Sequence, residues 1–114
     1  MSLVKKSGAL EEEPHPFLNN VGMKVLYSEE RDGGDITCFL VRCAVGSEIE
    51  EHIHHMETDI IYVLDGKATM WIEDRGEFPL EPGVFVVVPE GLRHRTYDVK
   101  EELLIYDVFT PAMF

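Results

Sequence analysis

The sequence predicts an all-β domain, a sandwich or small barrel. Short β-prone runs such as "MKVLY", "ITCFLVRCAV", "DIIYVL", "KATMWIE", "GVFVVVP" and "ELLIYDVF" recur at near-regular spacing from Gly22 onward. Turn signals separate them. No segment from 22 to 110 carries a long, capped helical period. At 114 residues and 45% apolar, the chain can bury one core and is short of the size at which a core divides.

Taken in order, residues 1–20 ("MSLVKKSGALEEEPHPFLNN") are rich in charge, proline and turn formers. They read as an N-terminal arm, either loose or laid along a neighbouring surface. Residues 21–114 read as a single domain. His15, between two prolines, reads as chemically inert. Gly33-Gly34 marks a tight turn before the run that holds Cys38 and Cys43. Those two lie five apart, so on one strand they face opposite sides and read as packed, reduced thiols. Arg42 lies in the same apolar run. Its head either reaches solvent or a partner, or lines a cavity and holds an anionic ligand. In "DIIYVL", Asp59, Ile61 and Val63 share one face, and Ile60, Tyr62 and Leu64 the other. Asp65-Gly66 sits between two apolar runs and reads as a two-residue hairpin turn. Asp74-Arg75-Gly76 reads as another turn. Tyr62, Trp71 and Tyr97 read as packing residues.

The formal net charge of −12 argues against a nucleic-acid partner and against an anionic membrane surface. No apolar run approaches a membrane span, and "MSLVKK" is not followed by the apolar stretch of a signal peptide. The cytoplasm is the expected compartment.

The chemistry concentrates in "EHIHHMETD", residues 51–59. His52 and His54 are two apart and point to one side of an extended chain, while His55 points away and reads as surface. If that side is an interior, Asp59 can aim at the same point. His94 opens "HRTYDV", and Arg93 and Arg95 beside it point away. Three imidazoles and one carboxylate suit a first-row transition metal. Glu57, two residues earlier and longer, competes for the carboxylate position. A third alternative leaves only water there.

The spacing extends the pattern. Gly46 is followed by five residues, His52-x-His54, four residues, Asp59, six residues and Gly66. Later come Gly83, five residues, Pro89-x-Gly91, two residues, His94, three residues and Asp98. This resembles the paired signature motifs of the cupin superfamily, G-x5-H-x-H-x3-4-E-x6-G and G-x5-P-x-G-x2-H-x3-N. The resemblance spans 46–98 directly, and its strand pattern extends over most of 22–110.

The resemblance implies a cupin-like double-stranded β-helix, a jelly-roll barrel open at one end. It implies a divalent transition metal (Fe, Mn, Ni or Zn) inside, with His52, His54 and His94 as ligands. Gly66 and Gly83 would turn the chain between strands. Two positions depart from the pattern: Asp59 replaces the family glutamate and Asp98 the asparagine. Aspartate reaches about 1.5 Å less than glutamate. Asp59 is then a ligand or a base, or Glu57 or water takes its place.

The implied function is a small metalloenzyme acting on a small oxygenated metabolite held in the barrel. Dioxygenase chemistry and sugar or uronate isomerase-like chemistry are both in range. The ending "YDVFTP" is similar to that of small cupins that linearise unsaturated uronates. The alternative is a non-catalytic small-molecule binding or sensing module. A homodimer is expected, with the apolar outer face at Ile60, Tyr62 and Leu64 needing cover.

Overall fold

The computed structural model describes residues 2–114. Eight strands follow in chain order: β1 (Glu13–Pro14), β2 (Val21–Tyr27), β3 (Thr37–Cys43), β4 (Ile49–His52), β5 (Thr58–Ile72), β6 (Gly76–Leu80), β7 (Phe85–Val88) and β8 (His94–Thr110). One short helix, α1 (Glu29–Asp32), joins β2 to β3. Its N-cap is Ser28, whose Oγ accepts from Arg31 N at 3.0 Å, and Gly33 closes it in the left-handed conformation. The expected Gly33-Gly34 turn is thus a helix cap. No helix among the described residues is long and apolar enough to cross a membrane.

The framework is the antiparallel pair β5 and β8, matched from Thr58↔Thr110 to Ile72↔His94. The first half of β5 lies between the second half of β8 and β7. That half of β8 also pairs with β3, which pairs with β2 and so with β1. The second half of β5 lies between the first half of β8 and β6, and β4 pairs with β8 at Ile49↔Thr96 and His52↔His94. Each long strand therefore serves two sheets, whose inner faces share one core.

Serving two sheets requires a bend. In β5 the register shifts between Val63 and Thr69, and in β8 Asp98 takes φ 53. Asp65-Gly66 is therefore not a hairpin but a kink inside one 15-residue strand. The misreading has a physical cause, because glycine at positive φ serves a bulge as well as a turn. Gly66 has φ +95, and a Cβ there would lie 2.2 Å from the Glu102 carbonyl oxygen and 2.6 Å from Leu103 Cα. The kink also flips side-chain parity. Asp59, Ile61 and Val63 face inward before it, and Ala68, Met70 and Ile72 after it. The Asp74-Arg75-Gly76 turn does join β5 to β6.

The inner stripe of β3 is Thr37, Phe39, Val41 and Cys43. Desolvation pushes the Cys43 thiol up to about 12. Cys38, on the other side of the strand, is also buried and free. The arm lies along the barrel at β1, where Glu13 accepts from Arg31 Nη2 at 2.8 and 2.9 Å. The outer face of β5 and β7 is apolar and open, with Tyr62 42%, Leu64 43%, Phe85 60% and Val87 47% exposed. Tyr62, expected to pack, stands there opposite Phe85.

Gly66→Ala should cost more than about 3 kcal/mol, since both the backbone conformation and the passing Glu102 peptide oppose a methyl group. Gly76→Ala has a similar φ but open space around it, and should cost about 1–2 kcal/mol. Urea unfolding of the two variants checks the contrast; equal losses would sink it.

Candidate metal centre

β4 ends on His52, paired across the ladder with His94 at the start of β8. His54 follows after one residue, on the same side, and Asp59 enters as an inward residue of β5. Ring centroids of His52 and His94 lie 4.1 Å apart, those of His52 and His54 4.8 Å, and those of His54 and His94 5.2 Å. Asp59 Oδ2 lies 3.4 Å from His94 Nε2 and 3.8 Å from His54 Nε2. One donor atom from each of the four falls within 4.8 Å of the others. Glu57 is not in this group; its Oε2 accepts from the Met56 N–H at 3.3 Å. His55 and Asp98 are exposed.

The backbone sets the tautomers. His52 Nδ1 lies 2.7 Å from the Glu50 carbonyl oxygen, and His94 Nδ1 lies 3.1 Å from that of Leu92. A carbonyl can only accept, so each Nδ1 carries the hydrogen and each Nε2 keeps its lone pair. Burial pushes His52 and His54 below the ordinary histidine value, which favours neutral rings. Nε2 of His54 and of His94 are buried with no hydrogen-bond partner in the protein. Buried lone pairs left so are costly. Neutral imidazole nitrogens aimed at one point beside a carboxylate are the donor set of a divalent transition metal, and the residues fit one.

Asp107 joins this centre, and the sequence reading missed it. It faces inward from β8, between Ile105 and Phe109 on the same stripe. Oδ1 of Asp59 and Oδ1 of Asp107 are both buried without an N–H or O–H donor. A proton shared between the two carboxyls would give each a partner. Burial, and then the Asp59 charge, holds Asp107 well above the carboxylate range. Burial also opposes ionisation of Asp59, but the contact with Asp107 and the nearby His94 and His54 imidazoles outweigh it, so Asp59 lies below its ordinary value. Those two directions favour the proton on Asp107 and the charge on Asp59. An acid at period two in "LLIYDVF" was the available signal.

The four residues stand in a cavity of about 440 Å³. Its walls are mostly apolar, including Phe39, Ile61, Met70, Ile105 and Phe109. No lysine or arginine lines it among the described residues. Arg42, offered as a cavity residue, points outward instead and pairs with Glu102 at 2.6 Å and Glu12 at 3.3 Å. Its strand parity decides this, since Val41 and Cys43 take the inner face. Arg93 and Arg95 also face outward, pairing with Glu51 and Glu48, and Arg95 lies 4.3 Å over the Tyr97 ring. His15, read as inert, lines the cavity.

Comparison with known proteins follows the same lines. The chain is 32% identical over 69 residues to quercetin 2,3-dioxygenase of Bacillus subtilis (strain 168), covering 60% of this chain but only 20% of that enzyme. Among solved structures, a predicted oxalate decarboxylase from Thermotoga maritima superposes with a TM-score of 0.84 at 20% identity, covering 96% of this chain and 99% of that one. KdgF from Halomonas sp. superposes with a TM-score of 0.80 at 20% identity, covering 93% and 92%. At that identity these two show a shared fold. The Cupin domain family matches residues 39–109, the segment that spans both histidine motifs and all but the last residue of the β5–β8 framework, and the chain belongs to that family.

Proposed function

We propose that this chain is a metal-dependent enzyme that uses His52, His54, Asp59 and His94 to hold a divalent transition metal. Its substrate is a small, largely apolar metabolite bound through oxygen. The observation that carries this is the convergence of three imidazoles and one carboxyl group within 4.8 Å, inside an apolar-walled cavity. A metal there would supply Lewis acidity toward a substrate oxygen and, for iron or nickel, access to redox chemistry.

The chain's own residues do the rest. Asp107 keeps its proton and hydrogen-bonds Asp59, fixing the carboxylate's orientation and charge. The apolar walls exclude water. Glu50, Glu51 and the Asp59–Asp107 pair make the polar lining acidic. Unless it took the metal itself, a sugar acid's carboxylate would lie against those acids with no lysine or arginine among the described residues to meet it. Dioxygenase-type chemistry on an apolar oxygenated molecule is therefore favoured over uronate isomerisation. The likeness to quercetin 2,3-dioxygenase supports the same choice.

We also infer that the protein works as a homodimer through the face at Tyr62, Leu64, Phe85 and Val87. These side chains carry no charge, so two chains of net charge −12 can meet there without like-charge contact.

Elemental analysis of untagged protein should find one transition metal per chain, lost in His94→Ala. Absence of metal in the wild type after reloading with Fe, Mn, Ni and Zn would end this reading. In competition with a chelating dye, Asp107→Leu should weaken metal binding about 10–100-fold. Asp107→Asn, whose amide still donates to Asp59, should stay within about threefold. Light scattering should return twice the chain mass of 13.0 kDa; a monomer mass would remove the dimer.

A further inference from the structure

We propose that His15 is a hydrogen-bond donor to the ligand in the cavity, and that the ligand carries a second, neutral oxygen acceptor away from its metal-binding end. This rests on the metal-dependent reading above.

His15 reaches the cavity from the N-terminal arm, beside Pro16, Phe17 and Leu18. Its backbone is held there. His15 N donates to the Val21 carbonyl oxygen at 2.8 Å, and Pro14 pairs with Gly22. Prolines on both sides narrow the backbone further.

The ring is oriented as well. The N–H groups of Phe17 and Leu18 both donate to His15 Nδ1, at 3.1 and 3.2 Å. An atom that accepts two N–H bonds carries no hydrogen, so the hydrogen of the neutral ring is on Nε2. This tautomer is the reverse of that at His52 and His94, whose Nε2 keeps a lone pair. His15 is thus built to donate where the others are built to ligate.

Its Nε2–H finds no acceptor in the protein among the described residues. Other donors in the cavity are scarce. Among the described residues, no lysine, arginine, asparagine or glutamine lines it, Asp107 is engaged with Asp59, and the Thr96 hydroxyl is the other free donor. Burial lowers the His15 pKa, keeping the ring neutral near pH 7. A neutral donor among apolar neighbours suits a hydroxyl or carbonyl oxygen, whereas a carboxylate would call for a cation.

His15→Asn separates this role from a structural one. The asparagine side-chain oxygen can still accept from the amides two and three residues on, as Nδ1 does, but the Nε2 donor is gone. The probes are two flavonols on zinc-loaded protein, followed by absorbance. Quercetin carries hydroxyls far from its chelating oxygens, and 3-hydroxyflavone does not.

The expected result is unchanged zinc content and melting temperature in His15→Asn. Quercetin should bind about three- to tenfold more weakly and 3-hydroxyflavone equally well. Equal binding of quercetin by the two proteins overturns the role of His15 and leaves the metal reading standing. If wild type holds none of Fe, Mn, Ni or Zn, the metal-dependent reading falls and this inference with it; a zinc-loaded wild type that binds quercetin no more tightly than 3-hydroxyflavone overturns the second acceptor and leaves the metal reading standing.

A second measurement needs no variant. Imidazole nitrogen NMR of the wild type should show His15 as the Nε2–H tautomer, with that signal shifting on quercetin and not on 3-hydroxyflavone. An Nδ1–H tautomer, or a signal unmoved by quercetin, overturns the proposal.

Discussion

The full-length pairing of β5 with β8 is the constraint from which the site follows. Each strand is too long for one flat sheet, so each kinks and lends its halves to two sheets. The kink in β5 passes so close to β8 that only glycine fits at 66. Parity then places the chemistry. The inward row of β5 begins with Asp59, before the kink. β8 begins with His94 on the inner side and, after its own irregularity at Asp98, presents Asp107 inward near its far end. β4 needs only to pair with the start of β8 to bring His52 to His94. Four donors from three segments meet because two strands share one bend.

The centre concentrates charge where water is scarce, and its arrangement answers that. The two oxygens of Asp59 differ. Oδ2 faces His54 and His94, and Oδ1 is buried with no donor but the one a protonated Asp107 would supply. Two buried, ionised carboxylates facing each other would repel strongly in a low dielectric, which favours keeping one protonated. The pair then carries one negative charge rather than two. Neutral imidazoles add none, which leaves the centre suited to a cation. The acidic surface elsewhere plays no part in this; at −12 it is the solvated exterior.

Much of this was legible in the residues, for a physical reason. Strand parity alone puts His52 with His54 and Asp59 with Ile61, and motif spacing ties His94 to them. Three features were not legible. Asp65-Gly66 looked like a hairpin because both solutions need positive φ, and only the path of Glu102 and Leu103 on β8 tells them apart. Asp107 sat in the β-prone run "ELLIYDVF", where alternation offers a face but no partner; that partner is 48 positions away. Arg42 had two open readings until neighbours on both sides of the strand fixed its face. In each case the deciding contact is distant in sequence.

Histidine shows the same point at the scale of one ring. The residue type does not settle whether a ring nitrogen ligates or donates; the peptide group against the other nitrogen does. At His52 and His94 that group is a carbonyl, which draws the hydrogen to Nδ1 and frees the Nε2 lone pair. At His15 it is a pair of amide N–H groups, which claim the Nδ1 lone pair and leave the hydrogen on Nε2. A carbonyl behind a ring in an extended strand follows from the strand's own geometry. Two converging amides require the turn after Pro16. The arm and the strands therefore contribute opposite chemistry to one cavity from the same side chain. The arm's part depends on local backbone shape, so no spacing rule could have announced it.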